Sequence, residues 1–272
     1  MPIVNGTGAK IHYEQVGTGP DIVWVSGGGG TAADWDPYQL PFFKTDFRNT
    51  TFDNRGVGTT VSAEEAPWPM EGFAQDVIDV IEAVCEPPVS LVGLSFGSAI
   101  AQEVALTRPD LIRSAVVMGT GAYSVEWGWD YQAAEIEFRR AGGRLDGMMA
   151  VTHYAAFQYP ARVLGDRELW PKLRAELMAY MAKDDHEDSL IPQWDVSLRF
   201  DQRDRLPGCK VPMHVIAFTE DVQAPPQDGQ ELAEMAGAGE FHLFEGMGHC
   251  SIFGHTHDIL NPFIKSLVER HL

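Results

Sequence analysis

Residues 89–106 read VSLVGLSFGSAIAQEVAL and carry the pattern Gly-x-Ser-x-Gly at Gly93, Ser95 and Gly97. The apolar run before the pattern is typical of a strand buried on both faces, and the apolar spacing after it is helical. A serine hydroxyl is a weak nucleophile, so it needs a sharp turn that presents it to a base. Glycines on either side relieve the crowding of such a turn. The stretch therefore predicts a strand–turn–helix unit with Ser95 as a nucleophile.

Strand-like and helix-like stretches alternate on both sides of this unit. Further strands are predicted at 9–16, 21–25, 50–53, 114–118, 211–218 and 240–244, and the spacing of apolar residues predicts helices starting near 73 and covering 259–268. This alternation predicts an α/β fold with a mostly parallel, doubly wound sheet that helices cover on both faces.

Residues 122–206 interrupt the alternation. They contain no buried strand-like run, and helices are predicted at 129–142, 144–158, 168–183 and 194–201. The simplest organisation is a core domain of 1–121 and 207–272 with 122–206 inserted as a helical cap. The tryptophans and methionines of the insertion have two interpretations: they line an apolar pocket, or they pack the cap against the sheet.

Composition excludes several classes of protein. The 272 residues include 20 Lys plus Arg against 39 Asp plus Glu, a net charge of −19, which disfavours nucleic acid and anionic membranes as partners. Cys85, Cys209 and Cys250 form no CxxC pair and fit neither a disulfide framework nor a zinc site. The chain lacks a signal-peptide pattern and a membrane-length apolar run, which predicts a soluble, cytoplasmic protein. No pattern indicates a particular oligomeric state.

A nucleophilic serine needs a base, and the base needs a carboxylate that orients it. Glu220 and Asp221 follow the strand at 211–218, and His249 follows the strand at 240–244. Because the carboxyl ends of parallel strands meet at one edge of a sheet, we expect these side chains to approach Ser95. Alternative bases are His242, His255 and His257, for which a structural role is the simpler interpretation.

Together these motifs resemble the α/β-hydrolase superfamily, in its form with a helical cap, over nearly the whole chain. The resemblance implies that Ser95 is the nucleophile and that His249, in the family's Gly-x-Gly-His pattern, is the base. It implies Asp221 as the acid, since Pro225 follows four residues later, with Glu220 as the alternative. It implies neither a metal nor an organic cofactor.

The resemblance also implies an oxyanion hole made of two backbone N–H groups. One belongs to Phe96, at the start of the helix after Ser95, and the other to Gly28 in the loop after the strand at 21–25. Four consecutive glycines, 27–30, leave Gly29 as an alternative. The loop begins Ser26-Gly27 where the family usually has His-Gly. This departure removes no donor, because the hole uses main-chain N–H groups, but it leaves open how the loop is held.

Residues 53–58, DNRGVG, resemble a turn that is frequent in these hydrolases. Arg55 has two interpretations there, a contact to the substrate or an internal salt bridge that holds the turn. Two further residues lie outside these motifs. His153 has two interpretations, a pocket residue or a structural one, and Cys250 is predicted to be a small buried side chain beside His249.

The predicted activity is hydrolysis of a small-molecule carboxylic ester or lactone through an acyl-enzyme on Ser95. The same triad in similar proteins serves hydrolysis of C–C bonds in diketone-type substrates, or acyl transfer to an acceptor other than water. Cofactor-free haloperoxidases are similar as well. In a different class, some triad-bearing relatives act as receptors for small ligands.

Overall fold

The computed structural model describes residues 1–124, 126–182 and 187–272. Within them the sheet has nine strands: β1 (Ile3–Asn5), β2 (Ala9–Val16), β3 (Asp21–Val25), β4 (Arg48–Phe52), β5 (Val61–Ser62), β6 (Val89–Leu94), β7 (Ile112–Met118), β8 (Met213–Phe218) and β9 (Gly239–Phe244). The strand order is β1-β2-β4-β3-β6-β7-β8-β9, with β5 beside β2. All pairs from β4 to β9 are parallel, which confirms the predicted mostly parallel sheet.

Ten α-helices lie in the same described residues: α1 (Leu40–Phe43), α2 (Met70–Val84), α3 (Phe96–Thr107), α4 (Glu126–Arg140), α5 (Gly147–Gln158), α6 (Ala161–Leu164), α7 (Leu169–Met181), α8 (Glu187–Leu198), α9 (Pro226–Met235) and α10 (His257–Glu269). Successive residues of a strand point to opposite faces. Val23 of β3 therefore packs into the core under α2, α3 and α9, whereas Trp24 packs into the core under α1 and α10. The sheet is doubly wound, as predicted. None of these helices is long and apolar enough to cross a membrane.

Several predicted boundaries were wrong by a few residues. Strand β8 begins at Met213 rather than at residue 211, because Pro212 has no N–H to donate to a neighbouring strand. The short strands β1 and β5 were missed, and both pair with β2 in antiparallel fashion.

The chain between β7 and β8 contributes α4 to α8 and no further strand among the described residues. A single bridge pairs Tyr123 with Asp201 near the two ends of this segment. The helix predicted at 194–201 instead spans Glu187–Leu198, with Pro192 inside it. The helix predicted at 168–183 is α7, and residue 183 lies outside the described residues. The division into a 122–206 cap and a core domain stays a prediction.

Candidate active site

Ser95 occupies the turn between β6 and α3 in a strained backbone conformation. Its φ is +55° and its ψ is −122°, and no other non-glycine residue of the described chain has a positive φ. The Ser95 N–H donates to the Met118 carbonyl at 2.8 Å, which ties the turn to β7. A Cβ on Gly93 would lie 2.7 Å from the Gly97 carbonyl oxygen, and one on Gly97 would overlap the Val25 carbonyl. Both glycines are therefore needed for close backbone approach.

His249 and Asp221 form a buried hydrogen-bonded pair on the loops after β9 and β8. The His249 Nδ1 atom lies 2.7 Å from Asp221 Oδ2, and each residue is only 4% exposed. Asp221 Oδ1 accepts hydrogen bonds from the backbone N–H groups of Gln223 (2.8 Å) and Ala224 (2.9 Å). Glu220 is exposed, so Asp221 is the carboxylate that contacts the imidazole.

Gly119, just after β7, leaves room for this pair. Its φ is +56°, and a Cβ there would lie 3.1 Å from the His249 ring and 3.2 Å from Asp221 Oδ2. Sequence reasoning missed this residue, although a glycine directly after a predicted strand was the available signal.

A cavity of about 270 Å³ opens above the carboxyl ends of the strands, and Ser95 and His249 both line it. No hydrogen bond joins their side chains in the described residues. Catalytic hydrogen bonds are often long before substrate binds, so this geometry is compatible with a serine–histidine pair. Of the alternative bases, His242 lies within β9 and His257 begins α10, and neither lines the cavity; nor does His255.

The glycine loop after β3 lies against Ser95. A Cβ on Gly27 would be 3.4 Å from the Ser95 Cβ. The Gly29 N–H donates a 2.8 Å hydrogen bond to the Gln193 side chain of α8. It would have to break this bond before it could donate to an oxyanion. Phe96 is the first residue of α3, and N–H groups in the first turn of a helix have no partner within the helix. This arrangement favours Gly28 and Phe96 as the oxyanion donors.

Ser26 explains how the loop is held without a histidine. Its hydroxyl donates to the Thr31 carbonyl at 3.1 Å and accepts from the Trp35 indole at 2.8 Å. Its carbonyl accepts from the Asn54 side chain at 2.9 Å. The hydroxyl and the carbonyl of Ser26 thus hold the start of the loop through three hydrogen bonds.

Arg55 forms an internal ion pair rather than a wall of the cavity. It is buried and donates two hydrogen bonds, of 2.9 and 2.8 Å, to Asp76 of α2. Burial raises the pKa of Asp76, whereas the Arg55 guanidinium opposes that rise. The structural interpretation of Arg55 is the one that this geometry supports.

Helices α4, α5, α7 and α8 supply a mixed aromatic and polar lining. Aromatic side chains on the cavity wall are Tyr131, Tyr154, Tyr180 and Trp194. Met181 lines the cavity as well, which agrees with the pocket interpretation. Met148, Met149 and Met178 are exposed and do not line it, so neither interpretation holds for these three. They lie on helix faces that the sequence alone could not orient.

The part of the cavity under α4 and α5 is strongly polar. Glu135 is 7% exposed and its Oε1 lies 2.6 Å from His153 Nε2. Arg139 lies 3.4 Å from the other oxygen of Glu135 and 5.2 Å above the Trp194 ring. His153 therefore does line the cavity, whereas Glu135 had no motif that could have revealed it.

Cys250 also lines the cavity, but its thiol is expected to be unreactive. Its thiol donates to the Gln158 side chain at 3.0 Å, and burial raises its pKa to about 12. Because the thiolate is the nucleophilic form, this thiol does not compete with Ser95 at neutral pH.

The chain is similar to known proteins over nearly its whole length. Residues 22–261 match the sequence profile described as the alpha/beta hydrolase family. A Mycobacterium tuberculosis (strain H37Rv) protein named as a non-heme bromoperoxidase, BpoC, is 29% identical over 260 residues, which cover 94% of this chain and 97% of the relative. The crystal structure of that named protein matches with a TM-score of 0.89 and 26% identity, over 96% of each chain.

A second relative has a different name. A Stutzerimonas stutzeri (strain A1501) protein named as a carbamate hydrolase, RutD, is 25% identical over 96% of this chain and 97% of its own length. The profile match, the sheet and the turn at Ser95 all agree, and the chain belongs to the alpha/beta hydrolase family.

Proposed function

We propose that this protein is a serine hydrolase that cleaves carboxylic esters or lactones through an acyl-enzyme on Ser95. The observation that carries the proposal is the strained turn of Ser95, which opens on the same cavity as the buried His249–Asp221 pair. A strained nucleophile and an oriented imidazole are the two parts that acyl transfer needs. We also propose that residues 122–206 act as the cap over this cavity.

In the first half-reaction, His249 takes the Ser95 proton as the hydroxyl oxygen attacks the carbonyl carbon. The oxyanion that forms is bound by the N–H groups of Gly28 and Phe96, and the N-terminal end of α3 adds a favourable dipole. Asp221 stabilises the imidazolium. His249 then protonates the leaving alkoxide, the C–O bond breaks and the acyl group stays on Ser95.

In the second half-reaction, neutral His249 removes a proton from water, which attacks the acyl carbon. The new tetrahedral intermediate collapses, His249 returns the proton to Ser95, and the carboxylic acid leaves. For a lactone the alcohol and the acid are parts of one molecule, so a single hydroxy acid is released.

The cavity lining suggests the substrate class. Its volume of about 270 Å³ suits a small to medium-sized molecule. Glu135, His153 and Arg139 bring charged and hydrogen-bonding groups to the cap side, so a substrate with a polar group remote from the scissile bond fits better than a purely apolar ester.

The test is turnover of p-nitrophenyl acetate and butyrate, lactones, a carbamate ester and vinylogous diketones by the wild type and Ser95→Ala. Ser266→Ala is the matched control, because Ser266 is exposed on α10. We expect ester or lactone turnover that Ser95→Ala abolishes and Ser266→Ala preserves. Undiminished turnover in Ser95→Ala contradicts the proposal. So does slow, single-turnover labelling with tight retention of the ligand, which is the behaviour of a receptor.

A second candidate is perhydrolysis, which the relative named as a non-heme bromoperoxidase favours. Hydrogen peroxide would replace water in the second half-reaction, so that the acyl group leaves as a peracid. The peracid would then oxidise bromide in solution. Bromination of a phenolic dye that needs acetate, peroxide and Ser95 together would support this candidate.

A further inference from the structure

Two histidines and a glutamate meet on one face of β8 and β9, away from the cavity. His214 and Glu240 are partners in the register of these parallel strands, and His242 follows Glu240 by two residues on the same face. His214 Nδ1 lies 3.1 Å from Glu240 Oε2 and 3.4 Å from His242 Nε2, and His242 Nε2 lies 3.8 Å from Glu240 Oε1.

We propose that His214, His242 and Glu240 bind a divalent metal ion of the zinc class. In the described residues, this is the one group of three His, Cys, Asp or Glu side chains whose ligand atoms all lie within 4.8 Å of one another. Tetrahedral zinc with bonds of 2.0–2.1 Å holds neighbouring ligand atoms about 3.3 Å apart. His214 Nδ1 lies 3.1 Å from Glu240 Oε2 and 3.4 Å from His242 Nε2, which matches that spacing. The 3.8 Å contact of His242 is to the other oxygen of Glu240, so the carboxylate has to rotate to present one oxygen to both histidines.

A second contact supports the assignment. Ligating histidines usually engage their other ring nitrogen in a hydrogen bond, which fixes the ring. The other nitrogen of His214, Nε2, lies 2.9 Å from Nε2 of His271, just beyond the end of α10. The contact with His271 therefore fixes the His214 ring so that its Nδ1 atom faces Glu240 and His242.

Arg270 is the competitor for Glu240. It binds both carboxylate oxygens, at 3.0 and 3.1 Å, and its side chain is 48% exposed. A carboxylate oxygen has more than one lone pair, so Glu240 can keep one arginine contact and ligate a metal.

Nothing in the spacing along the chain predicts this site, because its ligands come from two strands that only the fold pairs.

The site is separate from the candidate active site. Ser95 follows the carboxyl end of β6, whereas His214 and Glu240 are the second residues of β8 and β9, near the opposite edge of the sheet. A bound ion would fasten the edge strand β9 to β8. We therefore expect it to stabilise the fold and to leave ester turnover unchanged.

The test uses the full-length protein, treated with EDTA, dialysed and titrated with zinc chloride alone in a calorimeter. We expect one zinc ion per chain and a rise in the melting temperature. His242→Gln should weaken binding at least 10-fold, and loss of the outer contact in His271→Gln should weaken it by about 10-fold. The matched control is His257→Gln on α10, outside the cluster, which should bind like the wild type.

Circular dichroism and Ser95-dependent turnover show whether each variant is folded. The proposal is overturned if the wild type takes up no zinc at 100-fold molar excess. It is equally overturned if folded His242→Gln binds zinc as tightly as the wild type, since the ion then sits elsewhere on this acidic chain.

Discussion

The Gln193 side chain accepts a 2.8 Å hydrogen bond from the Gly29 N–H, and so connects α8 to the glycine loop beside Ser95. The other end of the same amide donates to the Arg55 carbonyl at 3.1 Å. Gln193 is fully buried, so neither bond is exchanged with water. Gln193 therefore holds the loop from the side of α8, next to Gly28, whereas Ser26 holds its start.

Gln193→Ala should therefore impair catalysis. Removing the acceptor leaves the Gly29 N–H unsatisfied, a cost of about 1–3 kcal/mol, and lets the loop turn away from the oxyanion. We expect kcat/KM for an ester substrate to fall about 10-fold, with KM changed less than kcat.

Gln230→Ala is the control, because Gln230 is exposed on α9 and donates a hydrogen bond to Glu234 in the next turn, on the same helix. Steady-state kinetics and thermal unfolding measured together separate the two roles. A Gln193→Ala protein with a lower melting temperature but unchanged kcat would show that the contact only supports the fold.

A second prediction tests which of two adjacent carboxylates, Asp221 or Glu220, orients His249. Asp221 holds His249 Nδ1 at 2.7 Å, whereas Glu220 is exposed. Asp221→Asn preserves the shape but favours the wrong imidazole tautomer, so kcat should fall by about 10⁴-fold. Glu220→Gln should leave kcat within a factor of about two, since surface changes are usually small. The reverse order of effects would make Glu220 the orienting acid.

Local patterns were enough to predict the turn at Ser95 and the alternation of strands and helices. Both follow from neighbours in sequence: a run of apolar residues, a glycine on each side of a serine, and helical spacing after it. The convergence of Asp221 and His249 was predictable because parallel strands share a carboxyl edge. The choice of Asp221 over Glu220 came from the family resemblance and Pro225, because the strand pattern alone does not say which of two adjacent side chains points inward.

The cavity lining could not be predicted in the same way. Glu135 meets His153 only because α4 packs beside α5 in one rotation, and helical propensity does not set that rotation. Gln193 reaches Gly29 across 164 positions of chain. The start of α8 was predicted seven residues too late, at 194 instead of Glu187. The reason is Pro192, because a proline is usually found at the beginning of a helix rather than in its interior.

A third prediction concerns Gly119. A methyl group there would lie 3.1 Å from the His249 ring, at a φ of +56° that alanine adopts only with strain. Gly119→Ala should lower the melting temperature and cut kcat by displacing His249. Gly208→Ala is the control, because a Cβ at Gly208 meets no atom within 4 Å. Equal kcat in the two variants would mean that the imidazole tolerates the shift.

The last prediction is a loss of stability in alkali. Burial raises the pKa of Cys250 from 9.0 to about 12 and that of Cys85 to about 11, so the folded chain holds these protons more tightly than the unfolded chain. This contribution is fully present below pH 9 and is lost as the pH rises toward the folded values. Each such thiol lowers the free energy of unfolding by up to about 1.4 kcal/mol per pH unit in that range.

Urea unfolding between pH 8 and 9.5 measures the slope in the wild type and in Cys250→Ala, and the tyrosines contribute equally to both. Cys250→Ala leaves a small cavity that lowers stability at every pH, but it should make the average slope over this range shallower by about 0.5 kcal/mol per pH unit. An unchanged slope in this variant would show that the Cys250 proton is held no more tightly in the folded chain than in the unfolded one.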